Sequence, residues 1–266
     1  MFETNGIKMI APKKSLGQNF LTDKNISRKI VAAIAPTAGD FILEIGPGTG
    51  ALTELLAETE ARILAVEIDK RAVEVLQSKF AQKENLRIVH EDFSKFDFRV
   101  ADEFASGERL KVAGNIPYYL TSEIIFRLIE NSSKISRVVL MIQKEVAQRL
   151  VAQPRTKDYG ILTVAIGLCA RAKILFDVPP SCFFPRPKVT SSVIEITFKR
   201  GEENLFDNGL MRFVRAAFNQ RRKTLSNSLS AYSVRECPEF AEYLNKRAEE
   251  LTFDEFHRLY YILESR

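Results

Sequence analysis

The chain has 266 residues, 45% hydrophobic and 27% charged, with 39 Lys and Arg against 34 Asp and Glu for a net charge of +5. That is the composition of an ordinary globular protein, long enough for one large domain and a small appended one, and basic enough to be compatible with nucleic acid. No apolar run approaches the roughly 18 residues of a bilayer span, and three scattered cysteines (Cys169, Cys182, Cys237) with two histidines (His90, His257) give neither a disulfide framework nor a metal knuckle.

Met1 to Lys14 has no apolar signal core, so a cytoplasmic location is expected. Phe41–Ile45 is a short apolar run that ends in a glycine-rich turn, and Thr49–Glu58 has helical spacing through Leu52, Leu55 and Leu56. Arg62–Ile68 reads as a second strand, and Lys70–Phe80 as an amphipathic helix with Val73, Leu76 and Phe80 on one face. Leu86–Val89 and Leu110–Ala113 are the third and fourth strands. Ser122–Ile129 is predicted helical, Arg137–Ile142 a strand, Glu145–Val151 a helix, and Gly160–Leu168, apolar on most sides, a buried helix. Ala172–Val178 and Ser192–Phe198 alternate as strands. Only a link with Pro179, Pro180, Pro185 and Pro187 joins them, which predicts an antiparallel pair at one sheet edge.

Strands alternating with helices predict a layered α/β fold with a mostly parallel sheet. After Arg200 the pattern is helical: Leu205–Asn219, Lys223–Tyr232, Glu239–Glu249 and Phe253–Glu264, with Pro238 and Thr252 as start signals. A boundary at Gly201-Glu202-Glu203 divides a domain of residues 1–200 from a small helical one of residues 201–266.

The turn Glu44-Ile45-Gly46-Pro47-Gly48-Thr49-Gly50 links the first strand to a helix. Glycine lets backbone approach a ligand, and a helix N-terminus behind it offers free N–H groups. A nucleoside-bearing cofactor at the carboxyl ends of the strands is the expected occupant. Gly46, Gly48 and Ala51 also fit the G-x-G-x-x-A dinucleotide fingerprint, so an NAD-type oxidoreductase stays open. Glu67, ending the second strand, suits either cofactor, because a carboxylate there accepts from two ribose hydroxyls. Asp92, ending the third, is expected to accept from an adenine amino group.

The fourth strand ends in Asn115-Ile116-Pro117-Tyr118. This resembles the N/D-P-P-Y/F motif of methyltransferases that modify exocyclic amino groups. An adenine N6 lone pair is delocalised into the ring and is a poor nucleophile. Acceptors from Asn115 and from the carbonyl of Ile116 or Pro117 would favour a pyramidal nitrogen and stabilise the charge that develops on it. Pro117 makes the turn rigid, and Tyr118 would stack on an extruded base.

Taken together, the motifs resemble the ribosomal RNA adenine dimethyltransferases, with the bacterial small-subunit (16S) branch matching best. They are Lys14–Leu21, Glu44–Gly50, Val66–Asp69, Glu91–Phe93, Asn115–Tyr118, Phe183–Val189 and Phe218–Leu225, in family order. The resemblance implies a Rossmann-like class I methyltransferase with a seven-stranded, mostly parallel sheet and an all-helical C-terminal domain. It also implies S-adenosylmethionine, bound by Gln18, Asn19, Leu21, Gly46, Gly48, Glu67, Ile68, Asp92, Phe93 and Asn115. Asn115, Pro117, Tyr118 and Phe183 would hold the adenine, and Arg221, Arg222 and Lys223 would touch RNA phosphates. No metal is implied. The implied substrate is two adjacent adenines in a hairpin near the 3′ end of 16S rRNA, within the immature small subunit, methylated by a monomer. Two other readings share these motifs: a large-subunit rRNA dimethyltransferase, and a ribosome-assembly factor that keeps the fold without turnover.

Overall fold

The computed structural model describes residues 2–4, 7–201 and 204–265, so Glu202 and Glu203 of the expected boundary lie outside the described residues. The chain forms two compact units, one of residues 1–147 with 173–198 and one of residues 148–172 with 199–266. Residues 148–172 are thus contributed to the C-terminal unit from within the first 200 residues.

In the first unit, β1 (Phe2–Thr4) and β2 (Ile7–Met9) form an antiparallel pair, and β3 (Phe20–Leu21) pairs with β10 (Phe183–Phe184). The main sheet contains β4 (Phe41–Ile45), β5 (Arg62–Glu67), β6 (Leu86–His90), β7 (Leu110–Asn115), β8 (Ile135–Gln143), β9 (Ala170–Val178) and β11 (Ser191–Phe198). Their order is β6-β5-β4-β7-β8-β11-β9. Neighbours from β6 to β8 are parallel, and β11 runs antiparallel to β8, between it and the edge strand β9. Strand order reverses at β4, flanked by β5 and β7, so the crevice beyond its carboxyl end is where an open α/β sheet binds ligands.

The helices of this unit are α1 (Lys24–Ile34), α2 (Thr53–Leu56), α3 (Lys70–Lys79), α4 (Phe98–Phe104) and α5 (Thr121–Glu130); α6 (Lys144–Leu150) crosses into the second. Asp23 caps α1 by accepting from the N–H groups of Asn25 (2.8 Å) and Ile26 (3.2 Å). Ile30 and Ile34 of α1, with Leu52 and Leu56, pack on Ile42, Ile63, Ala113, Val139, Met141 and Val193 from one sheet face. Each large aliphatic buried here contributes roughly 1.5–3 kcal/mol. The loop after β6 is fixed by three interlocking rings, Phe93, Phe96 and Phe98, with centroids 5.7–5.8 Å apart. Arg127 of α5 donates to the carbonyls of Ser94 and Phe96 in the same loop, which holds Asp92 in place at its start. Among the described residues no helix is long and apolar enough to cross a membrane.

The second unit contains α7 (Ile161–Cys169), α8 (Asn208–Asn219), α9 (Leu225–Ser228) and α10 (Phe253–Glu264). Its core centres on the buried Phe213, with the rings of Tyr232, Phe240, Phe256 and Tyr260 at 5.3–6.5 Å. The helices expected at Lys223–Tyr232 and Glu239–Glu249 are instead the short α9 and a string of 3₁₀ turns, at Ser230–Tyr232, Val234–Glu236, Pro238–Phe240 and Ala248–Glu250. The reason is the spacing of the buried residues. Val234, Cys237, Phe240 and Tyr243 recur every third residue, the period of a 3₁₀ turn and not of an α-helix.

Gly167 of α7 lies beneath Phe253, and a Cβ there would come within 2.3 Å of the ring. Alanine favours a helix over glycine by about 1 kcal/mol, but overpacking costs about 1–3 kcal/mol. Gly167→Ala is therefore expected to lower the urea midpoint; a midpoint at or above wild type would contradict the packing described.

Candidate active site

One cleft of about 960 Å³, counting the part open to solvent, runs along the carboxyl ends of β4 to β7. Gln18, Asn19, Leu21, Gly46, Gly48, Glu67, Ile68, Asp92, Phe93, Asn115, Pro117 and Tyr118 all line it. Residues expected to contact a cofactor and residues expected to contact a base therefore share one cleft.

Glu67 ends β5 with a buried carboxylate, one oxygen accepting from the Gly48 N–H (2.9 Å) and the other from the Asp69 N–H (2.8 Å). Each oxygen keeps a lone pair for a further donor. Burial raises the Glu67 carboxyl above the usual carboxylate range, and the two N–H bonds oppose that rise. Gly48 has φ 56°, and a Cβ there would lie 3.1 Å from the Phe20 ring, so a side chain would displace the ring on the cleft wall. Asp92 accepts from the Ser94 N–H (2.9 Å) through one oxygen.

The segment from Lys13 to Leu21 joins the two ends of the cleft. Gln18 donates to Asp69 (3.1 Å), which also binds Arg71, and the Asn115 side-chain amide donates to the Asn19 carbonyl (2.9 Å). Arg71 and Gln18 hold the Asp69 carboxyl at about 2 despite its burial. With its N–H₂ engaged by Asn19, Asn115 keeps its carboxamide oxygen as an acceptor. The Tyr118 hydroxyl is 2.6 Å from that of Ser191, which fixes one edge of the ring.

Phe183 and the basic triplet fall elsewhere. Phe183 is 3% exposed in the hydrophobic core and does not line the cleft; it pairs across β3–β10 with Leu21, which does. Arg221 donates to Glu249 and to the carbonyls of Lys157 and Tyr159, all inside the second unit. The side chains of Arg222 and Lys223 are exposed and make no hydrogen bond or ion pair among the described residues. Sequence reasoning missed Phe20 and Glu44 as lining residues. The signal for Glu44 was a carboxylate in an otherwise apolar strand.

Burial pushes the Glu44 carboxyl up to about 8, and its Oε2 has no hydrogen-bond partner among the described residues. The folded protein thus keeps a proton that the unfolded chain releases near pH 4.5. Stability from this group falls as pH rises from there to about 8 and levels off beyond. Glu44→Gln removes this slope, so its urea midpoint should gain on wild type between pH 5 and pH 8. Parallel midpoints across that range would refute a protonated Glu44.

The donor set fits an adenosyl group: a twice-braced carboxylate for ribose hydroxyls, a second carboxylate just beyond the end of the next strand, and a glycine turn whose lack of Cβ atoms leaves room for close approach. Among the described residues no group of three or more His, Cys, Asp or Glu is placed to hold a metal ion.

Residues 9–265 match the family model described as ribosomal RNA adenine dimethylase. The chain is 46% identical over 252 residues to the ribosomal RNA small subunit methyltransferase A of Salinibacter ruber, covering 93% of this chain and 83% of that one. It is 44% identical over 251 residues to the protein of the same name from Chlorobium phaeobacteroides, covering 94% and 91%. The crystal structure of a dimethyladenosine transferase from Plasmodium falciparum superposes with a TM-score of 0.76 at 26% identity, covering 92% of this chain and 96% of that one. That of the 23S rRNA methyltransferase ErmE gives 0.67 at 25%, covering 92% and 100%. The NAD-type reading that the glycine turn left open in the sequence therefore falls away, and the chain belongs to the ribosomal RNA adenine dimethylase family, whose methyl donor is S-adenosylmethionine.

Proposed function

We propose that the protein transfers methyl groups from S-adenosylmethionine to the N6 amino groups of two adjacent adenines in a hairpin near the 3′ end of small-subunit rRNA. It does so as a cytoplasmic monomer acting on the immature subunit. The observation that carries this reading is Asn115, whose amide is anchored on Asn19 so that its oxygen remains an acceptor in the cleft that Glu67 and Asp92 also line.

Bound S-adenosylmethionine supplies an electrophilic methyl on a sulfonium. Glu67 holds the ribose hydroxyls, Asp92 accepts from the cofactor's adenine, and the 46–50 turn carries the remainder. The Asn115 oxygen accepts a hydrogen bond from one N6–H of the target. The Pro117 carbonyl already accepts from the Leu120 N–H (3.1 Å), which favours the Ile116 carbonyl as the second acceptor. The two together hold N6 near-tetrahedral and stabilise its developing positive charge. Alignment supplies much of the rate, because the sulfonium needs no further activation. Tyr118, tethered to Ser191, stacks on the base, while Phe183 backs the Leu21 wall. Arg222 and Lys223 contact phosphates, and Arg221 shapes the turn that presents them.

Mass spectrometry of small-subunit rRNA from cells with and without the protein tests the reading. Paired dimethyladenosines that persist without the protein would end it, and a change confined to large-subunit RNA would reassign the substrate.

A further inference from the structure

Five large hydrophobic side chains are exposed among the described residues: Ile68, Tyr119, Phe184, Val189 and Tyr261. Scattered singly, such residues need no explanation. Four of these gather at one place. Ile68 and Tyr119 line the cleft, Phe184 pairs across β3–β10 with Phe20 of the cleft wall, and Val189 is two residues before Ser191, the partner of Tyr118. Tyr119 is 62% exposed and Phe184 58%.

The segment carrying Phe184 reads Phe-Pro-Arg-Pro-Lys-Val from 184 to 189. Arg186 and Lys188 are exposed, their side chains make no hydrogen bond or ion pair among the described residues, and no acidic residue lies between 183 and 191. Two prolines restrict the backbone between the aromatic and the cations. On the other side, a Cβ on Gly17 would lie 3.0 Å from the Tyr119 ring, so the backbone of the 13–21 segment supports that ring closely. Open aromatic faces interleaved with unpaired cations are what binds single-stranded nucleic acid without reading base identity.

We propose that Phe184 and Tyr119, with Arg186 and Lys188, form a second nucleotide subsite at the mouth of the cleft. It takes the unpaired nucleotide next to the target adenine, its base against an aromatic face and its phosphates against the cations. The proposal rests on the rRNA reading above and adds what holds the neighbouring residue while one adenine is in the cleft.

The test uses unmethylated small subunits as substrate and the full-length protein. Base–aromatic stacking of about 1–3 kcal/mol corresponds to a rise in KM for the subunit of about 5- to 150-fold for Phe184→Ala. Affinity for S-adenosylhomocysteine and the melting temperature should stay at wild-type values, since the side chain is exposed. Phe184→Trp keeps a flat face and should restore the wild-type KM, whereas Phe184→Leu should behave like Ala. Replacing Arg186 and Lys188 by Ala should flatten the salt dependence of binding by about 0.7 in log–log slope for each phosphate left without its cation. A wild-type KM in Phe184→Ala, or Leu rescuing as well as Trp, overturns the subsite while leaving the methyltransferase reading intact. Failure of the wild type to methylate these subunits would instead sink the reading on which it rests.

Discussion

Asn115→Ala is expected to lower kcat for adenine methylation by about a hundred- to a thousandfold while changing the affinity for S-adenosylhomocysteine only severalfold. The range is that for removing one preorganised polar group aimed at developing charge. The asymmetry follows from geometry. The Asn115 amide is committed to the Asn19 carbonyl, so the substitution takes from the cleft its free carboxamide oxygen, the group proposed above to accept from the target amine. Removing the Asn19 bond also costs about 1 kcal/mol of stability, visible as a small drop in melting temperature. Single-turnover methylation with cofactor saturating separates the two effects. Near-wild-type turnover would remove Asn115 from the role assigned to it.

Glu67→Gln should act on the other ligand. The change looks conservative, but both Glu67 oxygens already accept backbone N–H groups, from Gly48 and from Asp69. A glutamine must turn its –NH₂ toward one of them, which sets donor against donor and leaves a buried N–H unpaired. It also removes the charge that strengthens hydrogen bonds to the ribose. Hydrogen bonds to charged groups contribute about 1.5–3 kcal/mol each, so the dissociation constant for S-adenosylhomocysteine should rise by about a hundredfold. Turnover at saturating cofactor should recover to within severalfold of wild type. Calorimetry showing an unchanged affinity would dismiss the ribose assignment.

Much of this site is legible in the sequence because its strands are buried on both faces. β4, β5 and β7 appear there as mostly apolar runs, and the residues at or just after the end of each run, Gly46, Glu67 and Asn115, are those at the crevice. What is not legible depends on distant contacts. Nothing local indicates that Gln18 reaches Asp69 or that Asn115 reaches Asn19 across 96 positions. Arg221 reads as one member of a basic triplet because its acceptors, the Lys157 and Tyr159 carbonyls, lie more than 60 residues away. Helix α1 is absent from the sequence-based expectations although Asp23 and the 27/30/34 spacing of Ser27, Ile30 and Ile34 announce it. The run from Val234 to Tyr243 reads in part as a longer α-helix because a three-residue repeat resembles a 3.6-residue one over so short a stretch.

The stretch from Lys13 to Leu21 is bonded to Asp69 at one end of the crevice and to Asn115 at the other. On the proposed assignment, recognition of the methyl donor and of the acceptor consequently shares one short piece of backbone. Gly17 within it has φ 59° and no room for a Cβ beside the Tyr119 ring, so it has almost no conformational slack to absorb a substitution. On that assignment, retuning which base is accepted by altering this stretch would disturb the methyl donor as well, and new target preference would arise from other walls of the crevice.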